Sequence, residues 1–151
     1  MNYNRNSNNK RPYSEKKQTS EKKTYEPLKE EYYVTRAENV IKDLQKDAGK
    51  PHEQLTTSQI RNILSMLNEI YNEVIMTNDD KLSEPVQNKL RYLKIKLIYS
   101  AGRNIAVKKF MLQSQIDQHL DHIGDSREKF ILYSHYMEAL VAYHRFYGGR
   151  D

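Results

Sequence analysis

The 151-residue chain has no cysteine and no tryptophan, five glycines, four prolines, and no apolar run of the length a membrane span requires. Without cysteine there is no disulfide framework, no thiolate metal ligand and no cysteine nucleophile. Glycine and proline sit at the ends of periodic runs and not inside them, and no stretch alternates as a strand does, which leaves helices as the building material. The N-terminus is polar where a secretory signal needs an apolar segment, so a soluble, cytoplasmic protein is expected. A nucleophile elbow, a phosphate loop and a zinc-binding HExxH motif are also missing. The chain is therefore expected to be no enzyme and to need no cofactor or metal.

What remains reads as an all-α protein, a compact bundle of about five helices behind a disordered N-terminal tail. Residues 1–31 are rich in Asn, Lys, Ser and Glu, with no aliphatic side chain between Met1 and Leu28. Such a segment buries too little apolar surface to offset the entropy of ordering it. It reads as a solubilising extension or a loose nucleic-acid tether, and its mixture of acidic and basic residues favours the former. The helical domain is expected over residues 32–151. Val34, Ala37, Val40, Ile41, Leu44 and Ala48 give a first amphipathic helix, closed by Gly49 and Pro51. Thr56 with Gln59 forms a capping box for a second, whose stripe runs from Ile60 to Ile75. Ser83 caps a third, with Pro85 in its first turn. Gly102 is the expected break before a fourth, which ends at Gly124.

Residues 125–150, DSREKFILYSHYMEALVAYHRFYGGR, are apolar on most sides, as a buried central helix is. Asp125 with Glu128 marks its start, and Gly148 and Gly149 its end. Phe130, Tyr133, Met137, Leu140, Val141, His144 and Tyr147 share one face, Ile131, Leu132, Tyr136, Ala139, Tyr143 and Phe146 cover much of the rest, and the other helices are expected to pack around this one.

Charge supplies the functional signal. Residues 85–116 contain seven lysines and arginines and no carboxylate. Within them Lys89, Tyr92, Lys96, Tyr99 and Arg103 fall in one helical sector, a basic stripe interleaved with tyrosines. Lysine and arginine contact phosphates, and tyrosine stacks on unpaired bases, so the stripe suits RNA read by shape. The plainer reading is a solvated face with tyrosines lying along lysine stems. If a helix starts after Gly102, its free N–H groups form an anion site beside Arg103, with Lys108 and Lys109 one turn on. In DQHLDHIGD, the residues Asp117, His119, Asp121 and His122 lack a third metal ligand at fitting spacing, and a solvated face is expected. These acids, with Asp125 and Glu128, could complement the basic window of a neighbouring copy.

Three blocks, LTTSQIR at 55–61, YSAGRNIAVKKF at 99–110 and YMEALVAYHRFYGGRD at the C-terminus, together resemble the small subunit of the type III-A CRISPR effector, the Csm complex. The resemblance covers roughly residues 33–151. It implies a non-catalytic subunit of an RNA-guided antiviral ribonucleoprotein, with copies stacked head to tail beside other Csm subunits along the guide RNA paired with target RNA. Residue by residue it implies RNA contacts at Arg61, Arg103, Lys108, Lys109, Arg145 and Arg150, to which the charge stripe adds Lys89 and Lys96. The competing reading is a self-associating helical scaffold whose basic face binds an acidic protein.

Overall fold

The structure, a computed structural model, describes residues 24–47 and 49–149. Six α-helices follow in order: α1 Tyr33–Lys46, α2 Thr57–Val74, α3 Glu84–Arg103, α4 Ile105–Ser114, α5 Ile116–Asp121 and α6 Arg127–Phe146. A 3₁₀ turn, Pro51–Glu53, lies between α1 and α2, and no strand occurs among the described residues. The packing is cyclic: α1 lies on α6, α6 on α2, α2 on α3, α3 on α4, and α4 on α1, with α5 touching α3, α4 and α6. The ring encloses one apolar core.

Local chemistry sets the helix starts. Thr56 accepts from the Gln59 backbone and the Gln59 side chain accepts from Thr56 N–H, the expected capping box. Ser83 caps α3 as expected. Two boundaries differ from the sequence reading. The cap of α6 is Ser126, whose hydroxyl accepts from Lys129 N–H, one residue beyond Asp125. Gly102 is an ordinary helical residue, and the break falls at Asn104, where the chain extends to φ −138° and ψ 119°. Asn104 Oδ1 accepts from the N–H groups of Ala106 and Val107, which Gly102 could not do.

The fourth expected helix is divided in two at Gln115, a non-glycine residue in the left-handed region (φ 57°, ψ 27°) and 1% exposed. A helix interrupted inside a core leaves carbonyls that water cannot reach. Two tyrosines of α6 supply the donors: Tyr136 Oη bonds Ser114 O at 2.9 Å and Tyr133 Oη bonds Ile116 O at 3.0 Å. Burial pushes both phenols above their usual pKa, so both stay protonated as donors.

The Gln115 amide then ties the N-terminal segment down. Its Nε2 donates to Thr24 O at 3.2 Å, and its Oε1 accepts from Arg36 Nη2 at 2.6 Å and Glu26 N–H at 3.4 Å. Arg36 also donates to Glu26 O at 2.5 Å. Tyr25 stacks on His122 (4.1 Å, 13°), and its hydroxyl meets His119 Nδ1 at 3.2 Å. Leu28 packs against the core. The tail expected over 1–31 thus gives way to a strap from Thr24 onward, while its first 23 residues lie outside the described residues. His119, expected in solvent, is 3% exposed because the strap covers it.

The C-terminal helix buries Phe130, Tyr133, Met137 and Leu140 but is one member of the ring and not its centre: Val141 and Tyr147 are only partly buried and Phe146 is 76% exposed. It ends in a Schellman motif: Gly149 N–H bonds His144 O at 2.8 Å, Gly148 N–H bonds Arg145 O at 3.1 Å, and Gly148 takes φ 78°. A Cβ on Gly149 would run into the ring and carbonyl of His144.

Leu140→Ala, at a fully buried site, is expected to cost about 2–5 kcal/mol, and Tyr136→Phe about 1–3 kcal/mol through the stranded Ser114 carbonyl. Urea denaturation measures both; a loss below about 1 kcal/mol at Leu140 would remove α6 from the core. Acid provides a separate test of the strap. Burial, then the nearby charges of Arg36 and His122, hold His119 down to about 3 from an ordinary 6.5. A depressed histidine contributes stability that is full above the unfolded value and is lost as pH falls towards the folded one. Acidification from pH 6.5 to pH 4 is therefore expected to destabilise the wild type more steeply than His119→Gln, and parallel pH profiles would contradict this.

Candidate nucleic-acid interface

The carboxylate-free window is short of acids only in sequence. Folding brings Glu73 of α2 onto Lys89, Glu84 to 3.4 Å from Arg91, Asp121 to 2.5 Å from Lys94, and Glu53 to 3.4 Å from Lys109. Four of the seven cations are thereby paired. The remaining three, Lys96, Arg103 and Lys108, are exposed and have no carboxylate partner among the described residues. Two rest on aromatic faces: Lys96 Nζ lies 4.6 Å from the Tyr92 ring centre and Arg103 Cζ 5.5 Å from that of Tyr99. Each pair is spaced i, i+4 on α3, and the ring holds the cation over an exposed surface.

The outer face of α3 has two flanks. Val86, Leu90, Leu93, Leu97 and Ala101 point inward. Opposite them, at 100° per residue, Tyr92 and Tyr99 form a central line with Lys89, Lys96 and Arg103 on one side and Ile95 and Ile98 on the other. Ile95 is 63% exposed and Ile98 45%. These isoleucines escaped the sequence reading, although their angle from the Leu90–Leu97 stripe could have marked them.

Most of the expected residues gather at one end of the bundle. The short α2–α3 connection and the Lys89–Glu73 pair set α3 antiparallel to α2, which brings Arg103 level with the first turns of α2, where Arg61 is exposed. Lys108 and Lys109 start α4 at that end, with Lys109 on Glu53 of the 3₁₀ turn. The end of α6 arrives there too: His144 Nε2 bonds Leu55 O at 3.0 Å and Thr57 Oγ1 lies 3.5 Å from Gly149 O, which places Arg145 nearby. Lys89 lies towards the opposite end, and Arg150 is outside the described residues. The anion site expected beside Arg103 does not form. Arg103 closes α3, and the first free N–H groups of α4 are taken by Asn104 Oδ1.

In the acidic segment Asp121 lies 2.5 Å from Lys94 and Asp125 3.9 Å from Lys81 within the same chain. Among the described residues no group of three His, Cys, Asp or Glu is placed to hold a metal ion. No helix there is long and apolar enough to cross a membrane.

Comparison with known proteins matches residues 28–150 to the family described as Csm2 Type III-A. The chain belongs to that family. Csm2 is the small subunit of the type III-A CRISPR effector, so the protein is a Csm-complex small subunit of the CRISPR antiviral defence. Its relatives include the "CRISPR system Cms protein Csm2" of Streptococcus thermophilus, 44% identical over 124 residues, covering 82% of this chain and 98% of that protein. The protein of the same name from Enterococcus italicus is 41% identical over 95 residues, 62% of this chain and 68% of the relative. That from Mycobacterium tuberculosis is 35% identical over 119 residues, 79% of this chain and 94% of the relative.

Much of what marks the chain as a Csm2 is structural. LTTSQIR is largely the capping box of α2, and GG in the last block is the Schellman turn against His144. YSAGRNIAVKKF spans the α3–α4 break that Asn104 caps. Within these blocks Arg61, Arg103 and Lys108 are exposed cations to which those local roles give no part.

Proposed function

We propose that this Csm2-family protein is a non-catalytic, cytoplasmic subunit that contacts the backbone of target and guide RNA through the basic flank of α3 and the start of α4. The observation that carries the reading is the partition of the charge window. The fold compensates four cations internally and leaves Lys96, Arg103 and Lys108 exposed, two of them mounted on tyrosine rings. Arg61 and Arg145, at the same end of the bundle, extend the surface. Guanidinium and ammonium groups reach phosphate oxygens without reading bases, as suits a subunit that must accept any guide sequence.

The apolar flank favours a protein neighbour on the same helix. Ile95 and Ile98, beside Tyr92 and Tyr99, are apolar surface of the kind that interfaces cover. In this reading α3 lies at a seam, with RNA on the lysine side and another Csm subunit or a further copy of this chain, stacked head to tail, on the isoleucine side. Each copy holds RNA weakly, and stacking on a common scaffold turns later contacts into intramolecular ones.

Replacing Lys96, Arg103 and Lys108 together by alanine is expected to flatten the log–log salt dependence of single-stranded target capture by the assembled complex, by up to about two. Replacing Lys89 and Lys109, already paired, should change it less. Helicity should hold in both, because surface charges contribute little to folding. An unchanged slope in fully assembled triple-mutant complex would turn the basic flank towards protein and favour a scaffold that binds an acidic partner.

A further inference from the structure

The seven cations of the 85–116 window are held in place by two different kinds of group. Glu73, Glu84, Asp121 and Glu53 hold Lys89, Arg91, Lys94 and Lys109, and each carboxylate cancels the charge that it positions. Lys96 and Arg103 are held by rings instead. A tyrosine stands four residues before each, Tyr92 before Lys96 and Tyr99 before Arg103, and the cation lies over it at 4.6 Å and 5.5 Å from the ring centre. None of the four ion-paired cations has an aromatic residue at that position.

A ring fixes a cation without neutralising it, because the attraction comes from the quadrupole of the ring and not from a counter-charge. What remains of each cation suits an anion. Stacking uses the flat face of a guanidinium and leaves the N–H donors along its edge free for two parallel bonds to a phosphate, and an ammonium over a ring keeps donors on its far side. Core packing does not account for the rings. Tyr92 is 59% exposed and Tyr99 63%, and both lie opposite the Val86, Leu90, Leu93 and Leu97 face that α3 buries. The two modules also repeat: seven residues advance a helix by about 10.5 Å and turn it to within about 20° of two full turns, so Lys96 and Arg103 project from nearly one line.

We propose that Tyr92 and Tyr99 are positioning residues for RNA-backbone binding: each ring holds its cation with the charge intact, and together they set Lys96 and Arg103 for two separated phosphates of one strand running along α3. The inference rests on the RNA reading above and deepens it by giving the rings a part that acts through the cations and not on the bases. A long basic side chain loses rotamer freedom when a phosphate fixes it, and a ring that already restrains it reduces that loss. At an exposed site the effect corresponds to about two- to fivefold in affinity per module. Direct stacking of bases on the same rings is the rival that the experiment has to separate.

The test is a double-mutant cycle on the full-length protein with a labelled single-stranded RNA of mixed sequence, titrated from about 50 to 200 mM salt. Replacing both rings by leucine (Tyr92→Leu, Tyr99→Leu) is expected to lower affinity about five- to 25-fold and to leave the log–log salt slope unchanged, because both cations remain. Phenylalanine at both positions keeps the rings and is expected to bind within about twofold of wild type. Lys96→Ala with Arg103→Ala is expected to flatten the slope by up to about 1.4, and adding the leucine pair to it should bring no further loss. If the leucines weaken binding as much in that background as in wild type, the rings stack on bases directly, and the positioning inference falls while the RNA reading stands. A phenylalanine pair as weak as the leucine pair would give the role to the hydroxyls and overturn the inference, and a lowered urea midpoint in the leucine pair would overturn it by giving the rings a structural part. Unchanged affinity and slope in the Lys96, Arg103 variant would overturn the RNA reading and this inference together.

Discussion

A helix broken inside a protein core strands backbone carbonyls where no water can satisfy them, and in this bundle that break is at Gln115. The surrounding architecture answers it. Tyr133 and Tyr136 of α6 donate to Ile116 O and Ser114 O on either side of the break. The left-handed backbone that ends α4 turns the Gln115 side chain towards Arg36 of α1 and the Thr24 strap. α6 thus has two functions, filling the core through Phe130, Met137 and Leu140 and supplying the hydroxyls that make a break possible there. Because an unmet buried carbonyl costs about as much as several surface contacts contribute, the position of α6 and the α4–α5 corner determine each other.

The parts of the fold legible in the sequence were those set by local chemistry. The capping box at Thr56, the Ser83 cap and most of the apolar stripes of α1, α2, α3 and α6 depend on residues within one or two turns of each other and stand where periodicity puts them, while Val34, Ile75 and Phe146, at the helix ends, are exposed. Gln115 gave no such signal. Glutamine is not a residue that marks a left-handed turn, and the partners that hold it there are 21 residues ahead and 79 residues behind. The α3–α4 break illustrates the same limit on a smaller scale. Gly102 looked like the hinge because glycine permits many conformations, but the break went to Asn104, whose side chain could cap the next helix. Satisfying two N–H groups decided the position, and backbone freedom did not.

For the functional surface the sequence overstated one feature and hid another. Seven cations without an acid between them suggested a polarised face, but Glu73, Asp121 and Glu53 reach Lys89, Lys94 and Lys109 from other elements, and Glu84, one residue outside the window on α3 itself, reaches Arg91. Counting charge along a chain measures local composition, whereas an ion pair needs only proximity in space. The hidden feature was apolar. Ile95 and Ile98 went unnoticed in a helix rich in Leu, although their angle from the packed Leu90–Leu97 face turns them outward.

These two corrections bear on how such a subunit can use RNA. At physiological ionic strength exposed charges are screened within about 8 Å, and a basic window with four of its seven cations paired attracts a polyanion mainly at contact range. In the proposed reading Lys96 and Arg103, lying over tyrosine rings, act at that range, on a phosphate already brought alongside. On the same reading, capture then falls to neighbouring subunits of the Csm complex, which raise the effective concentration of RNA beside these cations.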